Sequence, residues 1–136
     1  MTPERRAEIQ AARQAREAEA EAREQAHADL LEELDDQFSR KLGIRGVDWA
    51  LINADNDCNA GPIVLKLGDI TQYKAWQAKP GQAVEDMFAY VAPNVVFPEK
   101  TVFNEIANRR PELLKRAVVA QNRLFGDSEA NFRGKV

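Results

Sequence analysis

The densest set of ligating and nucleophilic atoms in the chain lies in one short stretch, Asp55-Asn56-Asp57-Cys58-Asn59-Ala60-Gly61. Its Asp-x-Asp-x-Asn spacing puts oxygen ligands at alternate positions, as a calcium loop of the EF-hand type requires. The continuation does not fit. Ala60 stands where the loop's sharp turn needs Gly, and Lys66 puts a cation where a bidentate carboxylate belongs. Cys58 is the only cysteine and His27 the only histidine, far apart in sequence, so the thiol has no neighbouring base to activate it. The stretch therefore reads as an Asx-rich turn, with no metal and no cofactor expected. A single Cys and a single His also exclude a disulfide framework and a Cys- or His-rich zinc set. No phosphate-cradling glycine loop, paired-carboxylate site or catalytic triad is present. The expectation is a protein that is not an enzyme.

The second chemistry to weigh is charge. Arg109, Arg110, Lys115, Arg116 and Arg123 cluster toward the C-terminus, and a small nucleic-acid-binding regulator built on Arg109, Arg110, Lys115 and Arg116 is one alternative. Over its 136 residues, however, the chain carries 19 Lys+Arg against 22 Asp+Glu, a net of -3, which supplies no global basic footprint. Lys115 and Arg116 fall opposite Leu114 and Val118, as residues of a solvated face do. Trp49, Tyr73, Trp76, Phe88 and Phe103 occupy apolar-periodic positions and are assigned to core packing, not to base stacking. Nucleic acid is an unlikely partner on this reading. No apolar run reaches the ~20 residues of a membrane span, and the polar start, Met1 to Arg6, does not read as a signal peptide.

The elements that must position these residues divide near Gly43. Residues 1–43 hold 7 Lys/Arg and 11 Asp/Glu, and Pro3 is their only proline. Thr2 is placed to cap a helix whose first turn accepts Pro3, and Ala, Glu, Arg and Gln then continue it. Arg40 and Lys41 suit its C-terminus and Gly43 stops it, giving one helix from about 3 to 42. Leu30, Leu34, Phe38 and Leu42 recur every four residues with Leu31 beside them, a stripe that requires an apolar partner. The first half offers only Ile9 and the seam Ala11, Ala15, Ala18 and Ala22, too little surface to hold a coiled coil unaided.

Beyond Gly43 the period changes. Residues 48–53 and 62–67 read as the strands of a β-hairpin around the Asx-rich turn. Asp69 is an N-cap, with Gln72 completing a capping-box pattern, for a helix presenting Ile70, Tyr73 and Trp76. A helix over about 83–91 turns Val84, Met87, Phe88 and Val91 inward, and Val95-Val96-Phe97 is extended up to Pro98. A helix over about 99–109 buries Val102, Phe103 and Ile106. Pro111 opens the last helix, with Leu113, Leu114, Ala117, Val118, Gln121 and Leu124 on its face and Gly126 at its end. Residues 127–136 read as a flexible tail.

Residues 43–126 carry a succession of structural motifs: Gly61-Pro62-Ile63-Val64, then Asp69 to Trp76, Val95-Val96-Phe97-Pro98, a Phe103-bearing helix, Arg110-Pro111-Glu112-Leu113-Leu114 and Leu124-Phe125-Gly126. This order resembles the small tail assembly chaperones of tailed bacteriophages and prophages, from which the long alanine- and charge-rich front helix departs. The resemblance implies a non-enzymatic protein of the host bacterial cytoplasm. Such a protein binds the tape-measure protein, helps recruit tail-tube subunits and is absent from the finished particle. A virion structural or scaffolding protein, with the N-terminal helix inserted between neighbouring subunits, is the alternative.

The expected architecture is α+β, mostly helical with a β-hairpin and a long N-terminal helix: an arm over 1–43, a small domain over 44–126 (hairpin about 48–67, then four helices) and a tail over 127–136. The residues expected to contact a client are Leu30, Leu31, Leu34, Phe38 and Leu42, with Ile9 secondary. The same stripe can instead pack on the chain's own domain or on a second copy in a homo-oligomer.

Overall fold

The computed structural model describes residues 1–56, 60–78 and 83–133, with side chains described as far as Gly126. The fold is α+β and mostly helical, with a long N-terminal helix and a three-stranded antiparallel sheet. Helix α1 spans Pro3–Leu42, and the Thr2 hydroxyl accepts the Arg5 N–H at 3.1 Å, which satisfies one of the donors a helix start leaves open. The chain divides into two units, Met1–Leu34 and Asp35–Val136. The division falls inside α1.

The first unit is helix alone. Its side chains are exposed except Ile9, His27, Leu30 and Leu31, which are half-buried, and Leu34, which is buried. Local pairs join Arg5 with Glu8, Arg23 with Glu19, and the Gln25 amide with Asp29. Such exposed pairs contribute only a few tenths of a kcal/mol each, so helix propensity carries most of the order.

In the second unit the strands are β1 (Trp49–Ile52), β2 (Ile63–Lys66) and β3 (Val95–Phe97), ordered β1-β2-β3. The hairpin register pairs Trp49 with Lys66 and Ile52 with Ile63. The segment read from sequence only as extended, Val95-Val96-Phe97, is the third strand and makes β2 central. Alternation then assigns the faces. Ile52, Ile63 and Leu65 face the helical core, whereas Trp49 and Val64 lie on the opposite face, and all five are buried. Four further helices supply the core: α2 (Ile70–Ala78), α3 (Val84–Val91), α4 (Lys100–Arg109) and α5 (Pro111–Arg133), with a short 3-10 turn over Ala92–Asn94. Helix α5 packs against α3, α4, β1 and β2 and buries Leu113, Leu114, Ala117, Val118, Gln121 and Leu124, the face its periodicity predicts.

Several expectations are corrected. Helix α5 runs through Gly126 to Arg133, since one exposed glycine lowers helix propensity without breaking the hydrogen-bond ladder. The part of the expected tail beyond 133 lies outside the described residues. Val84, Val102 and Ile70 are exposed, while Tyr90 and Ala107 are buried; short helices rotate toward whichever face finds a partner. Asp69 does cap α2, its carboxylate accepting the Thr71 N–H at 3.0 Å, and these bonds hold its pKa below the usual value. The Gln72 side chain does not complete a capping box. Its Oε1 accepts instead from the buried Asn94 amide at 3.3 Å. That Asn94 amide lies against Gly68, where a Cβ would come within 2.5 Å of its nitrogen.

Candidate functional site

The stripe expected to meet a client is divided by the fold. Leu34 and Phe38 are 2% and 3% exposed within this chain, whereas the rest of the stripe is half-buried. For Phe38 the cause is local. Gly43 adopts φ +116°, a conformation that ends α1 and favours glycine, and a Cβ there would strike the Asp48 carboxylate. That carboxylate accepts the Ile44 N–H at 2.7 Å, and the Trp49 indole N–H donates to the Gly43 carbonyl at 3.1 Å. The turn so fixed sets Trp49 against Phe38, ring centroids 6.1 Å apart, on the sheet face turned away from the helical core. Leu42 is half-buried, as are Leu30, Leu31 and Ile9, and the four seam alanines are exposed.

The Asx-rich turn is built by its side chains. Asn53 and Asn56 both take positive φ; the Asn53 amide donates to the Gly61 carbonyl at 2.7 Å, and the Asn56 Oδ1 accepts the Gly61 N–H at 2.9 Å. Asp57, Cys58 and Asn59 lie outside the described residues. His27 is half-buried on the first unit.

A polar-aromatic layer runs between α2, α3 and α5. Trp76 stacks on Tyr90 and Tyr73 on Phe125, at centroid distances of 4.7 and 4.6 Å. Tyr90 donates its hydroxyl to the Asn122 Oδ1 at 2.7 Å, and the buried Gln121 amide donates to the Tyr90 carbonyl at 3.2 Å. Burial pushes the Tyr90 phenol well above its ordinary pKa, so it stays protonated. The layer ties three helices together and offers no activated group.

A cleft of about 600 Å³ lies between β1 and α5. Ala50 and Leu51 supply one wall, and Val119, 49% exposed, supplies the other. Arg45, Lys115, Arg116 and Arg123 line it, and no carboxylate does so among the described residues. Arg45 also reaches Asp35 at 3.8 Å. Of the expected basic cluster, Lys115 and Arg116 therefore come together with Arg123, while Arg110 pairs with Glu112 at 3.8 Å and Arg109 does not line the cleft. Sequence reading assigned these cations to a solvated face and missed Arg45, Leu51 and Val119. The available signal was Val119 itself, an apolar residue set among Lys115, Arg116 and Arg123 at helical spacings.

No helix among the described residues is long and apolar enough to cross a membrane. Comparisons of the chain with protein-family models, with curated proteins and with solved structures give no match.

Proposed function

We propose that this chain is a non-enzymatic tail assembly chaperone of a tailed bacteriophage or prophage. It works in the host bacterial cytoplasm by reversible binding to the tape-measure protein and helps recruit tail-tube subunits. The observation that carries the reading is the exposed first part of α1, whose seam of Ala11, Ala15, Ala18 and Ala22 is exposed. A seam of small side chains admits close approach of a client helix, and the charged remainder keeps the pair soluble. The motif order over 43–126 adds the resemblance to chaperones of this kind. Because Leu34 and Phe38 are covered, client contact is reassigned to the alanine seam with Ile9, Leu30 and Leu31.

The test is co-expression with the tape-measure protein that this reading requires as client. Co-purification that is lost in an A11E/A15E/A18E/A22E chain, together with absence of the protein from purified particles, supports the reading. Its retention in particles overturns it in favour of a structural component, and co-purification untouched by the four substitutions overturns the assignment of the seam.

A further inference from the structure

We propose that the cleft between β1 and α5 is a docking site for an acidic, extended segment of a partner polypeptide, which adds as a strand to the free edge of β1. The inference concerns the second unit only and does not rest on the chaperone reading or on the arm.

Three observations converge on it. The first is backbone geometry. Among the described strands β1 pairs with β2 alone, an isolated bridge from Arg45 covers its outer edge at Trp49, and the ladder bond from the Leu67 N–H to the Asp48 carbonyl fixes which peptide groups point inward. Alternation along an antiparallel pair then turns the peptide groups of Trp49 and Leu51 outward. The Trp49 carbonyl confirms that direction, since it accepts the Gly46 N–H at 2.7 Å from the outer side. Leu51 follows with its N–H and C=O on the open edge, in the wall of the cleft, and an exposed edge of this kind pairs with an added strand. The second is the apolar lining: Ala50, Leu51 and Val119 give alternate side chains of such a strand a surface to cover. The third is charge complementarity. Lys115 and Arg123 on α5 flank the cleft, with Arg45, paired to Asp35, at one end and no lining carboxylate among the described residues, on a chain whose net charge is -3. A cationic rim steers and selects an acidic partner. Nucleic acid is the weaker fit, because no aromatic side chain among the described residues lines the cleft to stack a base.

The experiment titrates the full chain with a blocked, fluorescein-labelled peptide alternating Glu and Val, followed by anisotropy, with amide resonances of residues 50–53 as the site readout. Saturable binding is expected, shifting the Leu51 amide and weakening about tenfold on charge reversal in K115E/R123E, whose positions are exposed and leave the core intact. N-methylation of alternate peptide amides is expected to weaken binding by at least about tenfold, since strand addition depends on main-chain hydrogen bonds. A Lys-Val peptide is expected not to bind. Equal binding by K115E/R123E or by the methylated peptide overturns the proposal. So does tighter capture of oligothymidylate that K115E/R123E abolishes, which makes the cleft a nucleic-acid site. Concentration-dependent dimerisation that K115E/R123E abolishes, with no peptide bound, overturns it in favour of a second copy. Failure on any of these grounds leaves the tape-measure experiment unaffected.

Discussion

From Pro3 to Asp29 of α1 the side chains are exposed save for Ile9 and His27, and the pairs Arg5–Glu8, Arg23–Glu19 and Gln25–Asp29 join residues one turn apart. From Asp35 onward the chain belongs to a unit in which Trp49, Phe103, Leu113 and Leu114 are almost wholly removed from water. Both regions are ordered, but the first rests on local propensity and the second on burial between residues distant in sequence. The lesson is that a change of the same kind has different consequences on the two sides of Leu34. In the arm it alters helicity near the site of change, and in the compact unit it alters the cooperative unfolding of the whole.

Phe38→Ala probes the boundary most strongly. It removes the ring that covers Trp49 and is expected to cost about 3–5 kcal/mol of unfolding free energy in a denaturant titration. A loss near zero would return Phe38 to the arm. Gly43→Ala comes next, since it forces a side chain into positive φ against Asp48; about 1–3 kcal/mol is expected by the same titration. An unchanged midpoint would mean that the turn after α1 does not hold Trp49 in place.

A pH series sharpens the description of the compact unit. The folded state holds the Tyr90 phenol above its unfolded pKa of about 10, so the folded form binds the proton more tightly. Its contribution is complete below about pH 10 and declines as pH rises beyond that value. The alkaline slope is expected to flatten in Tyr90→Phe, read as the midpoint of denaturant unfolding against pH. The smallest effect belongs to the arm. Ala18→Gly is expected to reduce local helix stability by about 1 kcal/mol, seen as faster amide exchange around residue 18, while the unfolding midpoint of the compact unit stays in place. A shifted midpoint would break the distinction between the regions.

Much of the fold was legible in order of appearance. The ends of α1, the two hairpin strands and the buried face of α5 all follow from patterns within a few turns of chain: Thr2 and Pro3 before a helix, Gly43 after it, alternation across 48–67, and apolar residues at helical spacing from Leu113 to Leu124. The stripe from Leu30 to Leu42 shows the limit. Its spacing demanded an apolar partner without indicating that the partner of Phe38 was Trp49 of the same chain, because that choice depends on the direction the chain takes at Gly43. The cleft was less legible still. Its cations are spaced along α5 like any solvated face, and only the packing of α5 on the sheet brings them beside Arg45 and the free edge of β1.

The amino-acid sequence by itself determined where α1 begins and ends, where the two hairpin strands lie, and that the long helix is polar through most of its length. Those properties depend on capping, propensity and periodicity among near neighbours. Tertiary structure alone decided which stripe residues are covered, that Val95–Phe97 joins the hairpin as a third strand, and that a strand edge lies open beside a cationic rim. These are relations between residues far apart along the chain, and the free energy that selects them comes from surfaces that exist only once the helices and the sheet have met.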